Sequence, residues 1–354
     1  MQNNTIDSQG AIAYYIDFSL QEIPNISDIA YGTGGIIYTD SEKTYRTIKK
    51  EYPTLNVMYL DTIDKIRENM LSTCVKVIVY PDYHIRYFKD LKDIKHVQVF
   101  HGPNDKKYNY IKEVLEYDLF FIPGYDAYER YKKQGLLKRG TGMLIGYPKL
   151  DRVFRGELDR DYELIKMGLD PSKKTILYAP TWHDRALNSS WKSFRNVFVV
   201  NIPANLNVIV KPHPNISRYM EKQLNEFRKR LLCSPNTRLF ENSPDTVPLM
   251  AASDLLIGDV SGITREYLAF KRPFVFLSNK PRLLWSKKKT RLWNCGEVVT
   301  KTYKVWEAVE RSLENPDRYM DQIEQFFKTT FYKPDGGAAE RARDAIFDLI
   351  NDSC

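Results

Sequence analysis

Short apolar runs alternate along the chain with longer stretches in which apolar residues recur at helical spacing. GGIIYTD (34–40) precedes the helical SEKTYRTIKKEY (41–52), and LNVMYL (55–60) precedes DTIDKIRENML (61–71). VKVIVY (75–80), a loop PDYHIRYFKDLKDI (81–94), HVQVF (96–100), helical KKYNYIKEVLEY (106–117), DLFFI (118–122) and helical YDAYERYKKQGL (125–136) follow. Strands this short, separated by helices, are joined by right-handed β-α-β connections into a parallel sheet. Strand signals weaken over 142–170. A second alternation then begins at KKTILYAPTWHD (173–184). It runs through NLNVIVKPHPN, helical RYMEKQLNEFRKRLL, TRLFE, helical TVPLMAAS, DLLIGDVSG, helical ITREYLAF and RPFVFL. The expected architecture is α/β, with two Rossmann-like domains whose parallel sheets face each other across a cleft. The first covers 1–160 and the second 161–334. A final helix over 335–354 is a candidate to cross back to the first.

Ligands of such sheets bind outside the carboxyl ends of the strands, so the residues directly after the apolar runs are the functional candidates. Those positions hold His101-Gly102, Thr181-Trp182-His183, Lys211-Pro212-His213-Pro214 and Asp259-Val260-Ser261-Gly262. Three of the five histidines fall there, although each alone is as readily a packed polar residue. His101 in particular is open to three readings: core residue, metal ligand or catalytic base. No HxxH, HExxH or DxD cluster suits a metal, and a convergence of His101, His213 and Asp259 is the remaining, disfavoured option. No metal and no cofactor are expected. There is also no GxSxG elbow for a serine hydrolase.

The most informative segment is SDLLIGDVSGITREYLAF. A buried strand runs into Ser261-Gly262 and a helix begins at about Ile263. Its free N–H groups offer an anion site, and Gly262 allows close approach. Glu266, about one turn in, is placed to accept from ribose hydroxyls. Ser261 as a plain N-cap and Glu266 as dipole compensation are the ordinary alternatives.

Charge changes the picture in one place. The net charge is +8, and KRPFVFLSNKPRLLWSKKKTR (271–291) holds eight basic residues and no acidic one. With Trp285 and Trp293 beside it, this stretch (271–293) suits an anionic membrane surface as well as it suits a solvated loop. No aromatic-rich RNA motif or helix-turn-helix supports nucleic acid as a partner. No apolar stretch reaches membrane-spanning length, MQNNTIDSQG lacks an export pattern, and four dispersed cysteines argue against a disulfide framework. The expected location is the cytoplasm, peripheral on the inner membrane face.

Phe-His-Gly (100–102), Tyr-Ala-Pro-Thr (178–181), Lys-Pro-His-Pro (211–214), Ser-Asp-x-Leu-Ile-x-Asp-x-Ser (253–261), Gly-Tyr-Pro-Lys-x-Asp (146–151) and Asp335-Gly336 together resemble the CDP-glycerol glycerophosphotransferases of teichoic acid and capsule synthesis. The resemblance implies a GT-B-like fold. It also implies transfer of a polyol phosphate, glycerol phosphate above all, from a CDP-polyol to a hydroxyl of a lipid-linked or glycan acceptor, with release of CMP. It further implies His101 as base, His213 at the donor phosphates, and Ser261, Gly262 and Glu266 at pyrophosphate and ribose. Lys211, Thr181 and Asp259 join them as donor-binding candidates, with Gly102, Trp182, His183 and Pro214 lining the nucleotide or cleft. The chain has Gly262 where the family usually has a second Ser, Glu266 where Asp is common, and His183 where Arg is frequent. A GT-B glycosyltransferase or epimerase using a UDP-sugar is the alternative reading. A basic binding module without catalysis is the third.

Overall fold

The computed structural model describes residues 10–99, 110–137, 141–182, 189–279 and 291–351. They form two compact units, one up to Arg155 together with Thr329 onward, the other Gly156–Lys328. Gly156, at φ +71, supplies the left-handed backbone where the chain leaves the first unit.

The first unit carries a seven-stranded, wholly parallel sheet in the order β3-β2-β1-β4-β5-β6-β7. The strands are β1 (Ile12–Tyr15), β2 (Ile36–Thr39), β3 (Val57–Tyr59), β4 (Val77–Tyr80), β5 (Lys95–Val99), β6 (Leu119–Ile122) and β7 (Gly142–Leu144). Successive residues point to opposite faces, and both faces are covered. Ile12, Tyr14, Val77 and Val79 pack with the helices Ile23–Thr33 and Ala338–Asn351, whereas Ala13, Tyr15, Ile78 and Tyr80 pack with Ile66 and Met70. That is why these strands read as continuous apolar runs. Local chemistry starts the helices: Ser41 Oγ accepts from Thr44 N at 3.2 Å, and Thr62 Oγ1 from Lys65 N at 3.3 Å.

The second unit has a six-stranded parallel sheet, β10-β9-β8-β11-β12-β13. Here β8 is Lys174–Ala179, β9 Leu206–Val210, β10 Thr237–Leu239, β11 Leu255–Gly258, β12 Phe274–Leu277 and β13 Gly296–Val299. One face buries Ile176, Tyr178, Val208, Val210, Leu255 and Ile257 with Trp191, Phe198, Phe227 and Val305. Tyr178 stacks on Phe198 with ring centroids 3.9 Å apart. Each large side chain buried this way is worth roughly 1.5–3 kcal/mol against exposure.

The two parallel α/β sheets match the architecture expected from the pattern, while several elements do not. The strands β1 and β13 are additional to the runs named above: β1 lies in the apolar AIAYYI (11–16), which no helical stretch precedes, and β13 (GEVV) holds only two apolar residues. In KKYNYIKEVLEY the described part is only a 3-10 turn, Lys112–Glu116. Ile111 precedes it in extended backbone and has no side-chain oxygen to cap a longer helix. RYMEKQLNEFRKRLL is broken at Met220 (φ −133, ψ 31) into Pro214–Tyr219 and Glu221–Leu231. Trp293, expected at a lipid surface, is buried beside Leu292, and Phe274 and Phe276 are core residues of β12. Residues 280–290 lie outside the described residues. Among the described residues, no helix is long and apolar enough to cross a membrane.

Candidate functional site

In the second sheet, the direction of strand addition reverses between the parallel strands β8 and β11: β9 and β10 are laid down on one side and β12 and β13 on the other. A crevice for ligands opens at such a point, outside the carboxyl ends of the strands. Thr181 follows β8, Lys211 and His213 follow β9, and Asp259 and Ser261 follow β11. The approach of β11 to β8 requires glycine at the last residue of β11: a Cβ on Gly258 would stand 2.6 Å from the Ala179 carbonyl oxygen.

Asp259 organises these loops. Its carboxylate, 2% exposed, accepts from Thr181 N at 2.8 Å and, with its two oxygens, from Ser190 N at 3.0 Å each. Its carbonyl accepts from Thr264 Oγ1 at 2.7 Å, and Ser261 N donates to the same hydroxyl at 3.4 Å. The loop after β11, the start of the helix Gly262–Tyr267 and the loop after β8 are thereby joined through one buried charge. Ser189 closes the ring from outside, donating to Thr181 O at 2.6 Å while its carbonyl accepts from Asn279 Nδ2 at 2.7 Å. Such a carboxylate braces the site.

On the other side of Thr181, the β9 loop is pinned by Lys211 N to Tyr178 O (2.9 Å) and His213 N to Pro180 O (3.1 Å). His213 caps the helix that starts at Pro214, its Nδ1 accepting from Asn215 N at 3.1 Å. With Nδ1 accepting, the neutral ring carries its proton on Nε2 and presents a donor there. The ring lies 6.3 Å from Trp182, which lies 5.9 Å from the exposed Tyr219, giving an aromatic patch at the loop. Lys211 is buried with its ammonium donating to Pro212 O at 3.2 Å. The buried Thr181 hydroxyl has no hydrogen-bond partner among the described residues. An ammonium, an imidazole and a hydroxyl at the exits of the neighbouring strands β8 and β9 suit an anionic diphosphate.

Gly262 has nothing within 4 Å of the position its Cβ would take, so no packing demands a glycine there. Glu266 is buried and accepts from Thr246 Oγ1 at 3.5 Å. His101, Gly102 and His183 lie outside the described residues. His213 and Asp259 do not share a metal-ligating cluster among the described residues. Ser189, Ser190 and Tyr219 were not legible from strand ends, because they reach the site from a loop and a helix end that carry no motif, and Asn279, two residues past β12, sits in a basic stretch that drew attention only for its charge.

Other motif residues turn out to be architectural. Asp151 accepts from Ala338 N (3.1 Å) and Ala339 N (2.7 Å), capping the helix Ala338–Asn351. Burial pushes its carboxyl up to about 6. Tyr147 donates to Asn25 Oδ1 at 2.8 Å, Arg155 to Gly336 O at 2.6 Å, and Arg341 grips Asp335 at 3.0 Å through both oxygens. Gly146 (φ +94) and Gly336 (φ +80) supply the turns. Asp254 accepts from Thr175 N and Arg160 Nη2, both at 2.8 Å, tying the start of β8.

The family model described as CDP-Glycerol:Poly(glycerophosphate) glycerophosphotransferase matches residues 39–348. A teichoic acid poly(glycerol phosphate) polymerase of Bacillus spizizenii is 28% identical over 183 residues, 48% of this chain and 43% of that protein. A teichoic acid glycerol-phosphate primase of Bacillus subtilis is 22% identical over 277 residues, covering 72% and 68%. The chain thus spans less than half the length of the polymerases it matches, at 43% and 34%. Among solved structures, the wall teichoic acid polymerase TagF superposes with a TM-score of 0.68 at 18% identity, over 97% of this chain and 89% of that one. A putative UDP-N-acetylglucosamine 2-epimerase from Listeria monocytogenes gives 0.66 at 14%, over 96% of each. Both likenesses concern the fold. With the family model matching most of its length, the motifs in order and the fold shared, this chain belongs to the CDP-glycerol:poly(glycerophosphate) glycerophosphotransferase family.

Proposed function

We propose that the chain transfers a polyol phosphate, glycerol phosphate foremost, from a CDP-polyol to a hydroxyl acceptor and releases CMP. The observation that carries this reading is the placement of Thr181, Lys211 and His213 directly after the neighbouring strands β8 and β9, beside the switch point of the second sheet, in a chain of this family. The acceptor oxygen attacks the phosphorus bonded to the polyol, and the bond from that phosphorus to the bridging oxygen breaks. CMP leaves with the electron pair. The acceptor proton passes to a base, the role the sequence resemblance gives to His101. Lys211 and His213 offset charge on the diphosphate as it shifts to the leaving CMP, the kind of preorganised stabilisation that dominates phosphoryl transfer. The Ser261–Gly262 turn holds the nucleotide side, where the absence of a side chain at Gly262 leaves room for it.

Lipid-linked or glycan hydroxyls are the proposed acceptors, and the basic stretch 271–291 supports work against an anionic lipid surface. The test is CMP release from a panel of CDP-polyols in the presence of acceptor-bearing membranes, with UDP-sugars as controls. Release from CDP-glycerol supports the reading. Turnover of a UDP-sugar alone replaces it with a glycosyltransferase or epimerase.

A further inference from the structure

The first sheet has a switch point of its own, between β1 and β4, and neither the motifs nor the proposed transfer uses it. Asp17 follows β1 by two residues and Glu22 lies five residues further. His84 lies four residues beyond β4. The connections from both strands therefore deliver one carboxylate pair and one imidazole to the same edge. Their ligating atoms all lie within 4.8 Å of one another, with His84 Nε2 3.9 Å from Glu22 Oε2. Around one cation bound at about 2.0–2.2 Å, donor atoms stand roughly 3–4.4 Å apart. Asp17 is the one member of the cluster that is not buried.

We propose that Asp17, Glu22 and His84 bind a divalent first-row transition metal ion, Zn²⁺ or Mn²⁺, in the first unit. The cluster alone would not carry this, since acidic groups gather for many reasons. The second observation is His84 itself. Its side chain is 7% exposed, and neither ring nitrogen has a hydrogen-bond partner among the described residues. Buried polar atoms are ordinarily paired, and an imidazole with both nitrogens unpaired among the described residues, beside a buried carboxylate, is chemically suited to coordinate a Lewis acid. The ring is also held rigidly, edge-on to Tyr15 at 5.3 Å and stacked on Tyr87 at 6.2 Å, as a ligand has to be.

The surrounding charge points the same way. Asp40 and Asp82 act on His84 in addition to Asp17, and Arg86 is the cation among the groups acting on it. Arg86 is itself engaged with Tyr87, donating to its hydroxyl at 2.9 Å. A nitrogen donor with two carboxylates favours zinc or manganese over magnesium, and three protein ligands leave positions for water or a ligand oxygen. Asp17 is oriented by Ser19 N, which donates to its Oδ1 at 2.8 Å.

The inference stands apart from the donor-site reading. Chelator-treated full-length protein is dialysed against Zn²⁺, Mn²⁺ or Mg²⁺, and bound metal is counted by mass spectrometry. The expected result is about one equivalent of Zn²⁺ or Mn²⁺ per chain, held at least tenfold more weakly by Asp17→Asn and lost in Glu22→Gln and His84→Ala. Asp17→Asn changes a half-exposed side chain, so it keeps the test valid where the buried variants fail to fold. Absence of retained metal, or retention unchanged in Asp17→Asn, overturns the proposal.

Discussion

The Thr181 backbone N–H donates to the buried Asp259 carboxylate across adjacent strand ends, at 2.8 Å. Through this bond the loop after β8 takes its shape from the loop after β11, and the free Thr181 hydroxyl is held in place. Asp259→Asn keeps the size but turns an amide NH₂ toward N–H donors. Loss of charge-assisted bonds to a buried group destabilises by about 1.5–3 kcal/mol. Thermal unfolding should show that loss, and CDP-glycerol titration should show weaker binding. Tighter donor binding in Asp259→Asn would mean the carboxylate faces the phosphates directly.

Gly262 separates packing from binding. A methyl group there enters open space, so Gly262→Ala should leave the unfolding midpoint unchanged to within about 0.5 kcal/mol. If the nucleotide occupies that space, donor affinity falls about tenfold, the scale of one misplaced methylene in a fitted pocket. Calorimetric titration of Gly262→Ala with CDP-glycerol decides it. Unaltered affinity places the nucleotide elsewhere.

In the proposed transfer His213 donates through Nε2, because Nδ1 accepts from Asn215 N. Removing one preorganised donor to a developing oxyanion lowers turnover by roughly 100- to 1,000-fold. His213→Ala should show that loss in kcat. His213→Gln, whose amide reaches a similar position, should recover part of it. Equal, complete inactivity of both would point instead to proton transfer by this ring.

How much of this was open to reading from sequence differs between the two sheets. The second sheet's site was legible because the apolar runs of β8, β9 and β11 each end on the chemistry, with a proline or glycine marking the exit. The first sheet's cluster was not. Its strand β1 is followed by no helical stretch that starts at the strand exit, since Asp17 and Glu22 lie in the turns before the helix Ile23–Thr33, which no cap announces. His84 sits four residues past its strand, within a stretch that reads as plain loop. Motif identity also outran motif role: Tyr147, Asp151 and Asp335 match the family as firmly as His213 does, yet Asp151 caps the last helix, Tyr147 holds Asn25 and Asp335 holds Arg341. Pattern identifies such residues. Only hydrogen-bond partners separate a clasp from a ligand.

Asp151 offers a pH signature of that clasp. Its carboxyl is raised from 3.8 to about 6 by burial, so the folded state holds this proton more tightly than the unfolded chain. The contribution is full below about pH 4 and is lost as pH rises through 6. Asp151→Asn removes this titration and one N–H acceptor, a capping loss of about 1 kcal/mol. Thermal midpoints of the two proteins should therefore differ more at pH 4.5 than at pH 7.5. A gap that widens with rising pH contradicts the assignment.

The central claim is the donor, and CMP release tests it most directly. The protein incubated with CDP-glycerol and acceptor-bearing membranes should liberate CMP in step with glycerol phosphate incorporated, and His213→Ala should suppress both together. No CMP from any CDP-polyol, with UDP released from a UDP-sugar under the same conditions, would contradict the account.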